Sequence, residues 1–283
     1  MPRRFIAASP PAYMNVRGVD FSGSKRPGRD VWLADGGFDG DRLAVTACRP
    51  AAEAFGATAR EPVLDALRAS LRSHAGTTGL DFSFGLPAEL LPSGVERWTD
   101  AVEWFADEFA DADADGTRET LKERARARAV DGVELKRRTD DAVRANSPYS
   151  FITHYQTLYG VRDLLAPLVA DGAVSVPPMQ PAGETNVIEI YPAGTLRRLD
   201  TVDEGYKEDT DGAVDARAAV LAALETDPAF GVDVAERVRE RALGDDGGDA
   251  LDSVVAAVAA ARAAARAFEP PTEYDDREGC IYV

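Results

Sequence analysis

Asn15-Val16-Arg17-Gly18-Val19-Asp20-Phe21 reads as a β-strand with alternating faces. Val19 and Phe21 point one way, and Gly18 and Asp20 point the other, with Ser22 following on that second side. The Gly/Ser/Pro-rich stretch Ser22–Arg29 ends it. Asp30–Ala34 and Arg42–Cys48 read as two more strands, joined through the Gly-Gly and Asp-Gly turns of Gly36–Asp41. Three strands linked by short turns predict an antiparallel meander. Leucines at 64, 67 and 71 then make Glu61–His74 an amphipathic helix. Thr78–Phe84 is a fourth strand, closed by Gly85-Leu86-Pro87.

Further along, Trp98–Ala145 is charged and helical, with the acidic run Asp111–Asp115 inside it, and Phe151–Ala170 continues as helix. Residues 98–170 are therefore expected to form a helical insertion that walls a cleft. Val174–Val176 and Asn186–Tyr191 read as strands, Ala213–Leu224 and Val232–Leu243 as helices, and Asp249–Phe268 as a long helix after the loop Gly244–Gly248. A run of strands followed by strands alternating with helices predicts a mixed sheet in one α/β domain over 1–283.

The first and fourth strands share one arrangement. In Gly79-Leu80-Asp81-Phe82-Ser83-Phe84 the bulky residues face one way, and Gly79, Asp81 and Ser83 face the other. Each strand thus carries one carboxylate flanked by the smallest residues. An isolated aspartate at a strand end ordinarily bonds a turn. A repeated one suggests a site in which small neighbours leave room for an ion and a substrate, since a buried carboxylate without a partner is costly. Neighbouring strands at about 4.8 Å would let Asp20 and Asp81 share a metal.

At the head of the long helix, Asp249 and Asp252 lie three apart on one face. Acids in a first turn ordinarily cap the helix. Docked beside the strand ends, they would complete a four-carboxylate cage of hard oxygens suited to Mg2+ or Mn2+. Two such ions about 3.5–4 Å apart would support in-line displacement at phosphorus. Glu189, an acid inside the apolar strand Asn186–Tyr191, is either a solvent-facing residue or part of that site. Ser22, Ser83, Arg138, Asp140 and Lys207 are the expected substrate contacts, the arginine by its fork geometry and the lysine as a point charge.

Composition narrows the chemistry. Cys48 and Cys280 form no Cys-x-x-Cys pair and only His74 and His154 are present, which excludes a Cys/His zinc site. The apolar stretch in Met1–Pro11 is too short for a signal segment, and the alanine-rich run near Val254–Ala265 is broken by Arg262, so no membrane span is expected. The formal charge is −17, from 49 acidic against 32 basic residues, and only four of those 32 are lysines. Acid excess with almost no lysine points to the cytoplasm of a cell living in molar salt, where the Debye length is only about 3 Å. Acidity is then habitat, although it also opposes nucleic acid and no basic, aromatic-interleaved stripe is visible outside Arg124–Arg128 and Arg137-Arg138.

Taken together, Gly18-Val19-Asp20-Phe21-Ser22-Gly23, Leu80 through Pro87, Val187 through Pro192, the Asp249-x-x-Asp252 pair and the closing Glu278-Gly279-Cys280-Ile281-Tyr282-Val283 resemble one family, in order along nearly the whole chain. It is the family of predicted ribonuclease H-like nucleases catalogued as domain of unknown function 429, here in a form typical of haloarchaea. The resemblance implies a ribonuclease H-like mixed sheet flanked by helices, related to Holliday-junction resolvases. It also implies metal-dependent cleavage of nucleic acid or another phosphodiester, with Asp20, Asp81, Asp249 and Asp252 coordinating Mg2+ and Glu189 as the acid of the Glu-x-Tyr-Pro motif. One position departs from the pattern, since the fourth-strand acid is often Glu in that superfamily and is Asp81 here. Two alternatives stay open. Asp20-Phe21-Ser22-Gly23-Ser24 is also similar to the first phosphate-binding turn of actin-like kinases, which would make the chain a phosphotransferase. Alternatively, the carboxylates serve a non-catalytic metal- or nucleotide-binding module.

Overall fold

The computed structural model describes residues 13–128 and 132–283, so the reading of Met1–Pro11 lies outside the described residues. The chain enters on β1 (Met14–Asp20), makes the one-turn helix α1 (Pro27–Asp30), and returns along β2 (Trp32–Phe38) and β3 (Arg42–Pro50). Helices α2 (Ala51–Phe55) and α3 (Arg60–Ser73) lead to β4 (Gly76–Asp81). Between β4 and the next strand run α4 (Trp98–Glu108), α5 (Ala114–Ala127), α6 (Arg138–Val143), α7 (His154–Leu158) and α8 (Ala166–Ala170), the last two joined by a π-helical stretch, Tyr159–Leu165. Then come β5 (Thr185–Ile190), α9 (Pro192–Arg198), α10 (Asp211–Thr226), β6 (Gly231–Val234), α11 (Glu236–Gly244), α12 (Asp249–Ala265) and β7 (Ile281–Tyr282).

The seven strands form one mixed sheet in the order β6-β3-β2-β1-β4-β5-β7. β2 is antiparallel to both β1 and β3, and the remaining pairs are parallel. From β1 the chain moves outward through β2 and β3, whereas β4 and β5 extend the sheet from the other side of β1. The strand order therefore reverses between β1 and β4, and the carboxyl ends of parallel strands at such a switch open a crevice for ligands.

Alternation along the strands builds two cores. Val19, Leu33, Leu80 and Val187 face α3 and the helices between β4 and β5. Val16, Ala34, Ile188 and Ile190 face α10, α11 and α12. α12 is alanine- and valine-rich all round and buried along almost its whole length, as expected of a helix with no solvent face. It crosses β1 and β4 at very close range. A Cβ on Gly18 would lie 2.0 Å from the Ser253 carbonyl oxygen, and one on Gly79 would lie 2.9 Å from that of Ala256. The small residues at 18 and 79 thus admit the α12 backbone, and the expected reason for them, space for an ion beside each aspartate, is corrected accordingly.

Other boundaries move as well. Gly36 and Gly37 belong to β2, where the register shifts at Asp35/Gly36, and the reversal comes at Asp39-Gly40-Asp41. Asp30, expected to begin that strand, closes α1 instead because Pro27 starts a helical turn. The expected helix Val232–Leu243 begins only at Glu236. Its first residues are β6, with Val232 and Val234 paired to Leu43 and Val45. Val174–Val176 contributes a single bridge, Ser175 to Asn186. Among the described residues, no helix is long and apolar enough to cross a membrane.

Candidate metal centre

Asp20 and Asp81 are the last residues of β1 and β4 and are paired directly across the two strands. Asp20 shares its strand face with Gly18, and Asp81 with Gly79, the face covered by α12. Gly248, in the left-handed conformation at φ +75°, turns the chain into α12, so Asp252 in the first turn comes down beside the strand ends. One carboxylate oxygen from each of Asp20, Asp81 and Asp252 lies within 4.8 Å of the others. Asp249 lies one helical turn earlier, outside that triad but on the wall of the same cleft.

The triad is short of positive charge. Burial, then the charges of Asp252, Asp249 and Asp81, hold the Asp20 carboxyl well above its ordinary range. Burial and Asp252 push Asp81 up to about 8, and burial with Asp245 pushes Asp249 up to about 6. Lys207 forms an ion pair with Asp252, while the Tyr206 hydroxyl donates to the other Asp252 oxygen at 2.8 Å. Burial opposes the Lys207 charge, but Asp252, Tyr206 and Asp20 outweigh it and raise its pKa. The cleft around these groups is about 520 Å³. Among the described residues lining it, Lys207 is the only cation, set against nine Asp and Glu residues. An all-oxygen donor set with a local excess of negative charge fits a hard divalent cation.

Ser22 and Ser83 line the cleft beside the two strand aspartates. The Ser22 hydroxyl accepts the Ser24 backbone N–H at 3.2 Å. Glu189 points to the opposite face of the sheet from Asp20 and Asp81. There it makes a two-pronged ion pair with the buried Arg137, at 2.5 and 2.7 Å, and accepts the Phe84 backbone N–H at 2.9 Å. Arg137 also grips Asp140, three residues on, at 2.7 Å. Asp140 and Glu189 therefore reach the cleft wall sharing one guanidinium between them. Arg138 is exposed and does not line the cleft, and its backbone N–H bonds Glu278.

Reasoning from sequence missed the roles of Tyr206 and Arg137. Tyr206 stands next to Lys207, which drew attention as one of four lysines, yet nothing in the sequence aims its hydroxyl at Asp252. Arg137 had a visible partner in Asp140 at i,i+3, whereas Glu189 lies 52 residues further on. Glu278 is a third such acid, buried and accepting the Ala88 and Arg138 N–H groups at 2.7 and 3.0 Å.

Fold and site define a class: a mixed α/β sheet with an acidic, cation-seeking crevice at the switch between β1 and β4. Within it, residues 37–274 match the family model described as "Protein of unknown function (DUF429)", and the chain belongs to that family. No curated protein and no solved structure matches it.

Proposed function

We propose that the chain is a ribonuclease H-like, metal-dependent phosphodiester hydrolase, acting on nucleic acid with Mg2+ or Mn2+. The observation that carries this reading is the convergence of Asp20, Asp81 and Asp252 from β1, β4 and α12 within 4.8 Å, at the carboxyl ends of the two paired strands. A first-strand acid, a fourth-strand acid and acids heading the last helix are the set that the family resemblance implies.

Those three residues would hold the ion, with Asp249 near enough to take a further position. When bound, divalent ions supply Lewis acidity and a more acidic water. The protein's own groups do the rest. Tyr206 and Lys207 fix both oxygens of Asp252, so its orientation is set before substrate arrives. The Lys207 side chain is half exposed and presents a positive charge to an incoming phosphate oxygen. Ser22 and Ser83 offer hydroxyls at the same wall. Glu189 is spent on Arg137 and Phe84. Its contribution is to hold the chain just after Asp81 in place.

A panel of single strands, duplexes, hybrids and four-way junctions in molar potassium chloride with Mg2+ or Mn2+ tests the proposal, with Asp20→Asn run alongside. Metal-dependent cleavage that the variant loses by about a thousandfold or more is the expected result. Absence of cleavage from the folded, metal-bound protein would refute it. The nine acids around one lysine favour a second reading, a metal- or nucleotide-binding module without catalysis, which that absence would support.

A further inference from the structure

Among the described residues, six large apolar side chains are exposed, and three of them fall within five consecutive positions. Phe151 is 77% exposed, Ile152 72% and Tyr155 37%. The segment is the rim of the acidic crevice, since Ile152, Thr153 and Gln156 line it. A fourth exposed residue, Val202, adjoins Asp203 on the crevice wall. The rings continue inward as a row. Phe151 and Tyr155 flank His154 at centroid distances of 6.2 and 4.6 Å, and Tyr155 is 6.3 Å from Tyr159. Tyr159 carries the Arg60 guanidinium 3.5 Å above its ring, and Arg60 in turn donates to the Gly23 and Ser24 carbonyls just beyond Asp20. The Arg118 guanidinium lies 6.0 Å from the Phe151 ring, and the Tyr155 hydroxyl bonds Asp115.

Phe151 and Tyr155 are interleaved in sequence with the lining residues Ile152, Thr153 and Gln156, and exposed apolar side chains beside a polar cleft suit an occupant that offers them a flat apolar face. A phosphate backbone cannot be gripped by this crevice through basic residues, because its lining contains one lysine and nine acids. High salt would weaken such contacts further. Base stacking has neither handicap, since every base has a π face and the interaction does not depend on charge. A duplex hides those faces within its own stack.

Resting on the hydrolase reading, we infer that Phe151, Ile152 and Tyr155 form a stacking platform for unpaired nucleobases, which makes single-stranded or flapped nucleic acid the substrate class. The grip is on the bases, and the phosphate is delivered to the carboxylates by continuity of the strand from rim to crevice.

The test is binding of a fluorescent oligothymidylate by anisotropy, with chelator present so that nothing is cut, over a range of potassium chloride concentrations. Single strand is expected to bind at least tenfold better than duplex, with an affinity that does not fall as potassium chloride is raised, because salt screens the repulsion between the phosphates and the acidic crevice. Phe151→Ala is expected to lose about tenfold in affinity and Phe151→Trp to keep it, while Mn2+ affinity stays as in the wild type. Failure of the wild type to bind single strand, or equal binding by Phe151→Ala, overturns the inference. A Phe151→Ala effect on self-association seen by light scattering, with oligonucleotide affinity unchanged, overturns it in favour of a contact between copies. The hydrolase reading fails separately, through absence of metal-dependent cleavage, because binding here is read without catalysis.

Discussion

Replacing Asp81 by Asn separates what this carboxyl does for a metal from what it does to the fold. Burial and the Asp252 charge push it to about 8 from an ordinary 3.8. Between those values the folded protein keeps a proton that the unfolded chain releases. Stability of the metal-free protein therefore falls as pH rises through that window, and the loss is complete above about pH 8. At pH 7, about three units above the ordinary value, and at about 1.4 kcal/mol per unit, the carboxyl costs the metal-free fold up to ~4 kcal/mol. Side-chain movement that separates the carboxylates reduces the figure. Asn removes the charge at nearly the same volume. Metal-free Asp81→Asn should thus be the more stable protein at pH 7–8, by as much as about 10 °C in Tm, and should lose that advantage near pH 4. Saturating Mn2+ should reverse the order, because only the wild type gains binding energy that exists solely in the folded state. Thermal unfolding by circular dichroism at acid, neutral and mildly alkaline pH, with chelator or with Mn2+, reads all of this. A metal-free Asp81→Asn less stable than wild type at pH 8 would refute the reasoning, since it would mean that the protein already compensates the carboxylate.

Three further variants probe the supports of the site. Gly18→Ala places a methyl 2.0 Å from the Ser253 carbonyl and 2.2 Å from the Ala257 nitrogen, both backbone atoms, so α12 must shift. A loss of about 3 kcal/mol in urea denaturation is expected, together with weaker Mn2+ binding as Asp252 is carried away. Glu189→Gln deprives the buried Arg137 of one of its two anions and should cost about 3 kcal/mol while leaving Mn2+ affinity within about threefold of wild type, measured by calorimetry. Tyr206→Phe removes one hydrogen bond to Asp252 and should change stability by only about 1 kcal/mol, with a shift in Mn2+ affinity of about tenfold or less.

Much of the site was legible because strand alternation is a local property. Gly18-Val19-Asp20-Phe21 and Gly79-Leu80-Asp81-Phe82 announce their two faces without help from the rest of the chain, and Asp249-x-x-Asp252 announces a helix face. What alternation cannot reveal is which element covers a face. The glycines therefore read as open space, whereas in the folded molecule the backbone of α12, more than 170 residues further along the chain, rests on them. β6 was hidden for a similar reason. Four residues supply too little periodicity to stand apart from the helix that follows, and what makes Gly231–Val234 a strand is β3 beside it. The pairing of Glu189 with Arg137 is likewise nonlocal. From sequence its acid reads as a solvent-facing residue or as part of the site, and the fold makes it neither a solvent-facing acid nor a member of the triad but half of a buried ion pair.

The placement of Asp252 on α12 has a consequence for when the triad can form. Translation reaches Asp252 171 residues after Asp81, and α12 covers the sheet face on which Asp20 and Asp81 stand. A nascent or prematurely ended chain holds two carboxylates on an uncovered sheet and no third one, so it cannot assemble the triad. The three-carboxylate cation site therefore exists only once α12 has been made and docked.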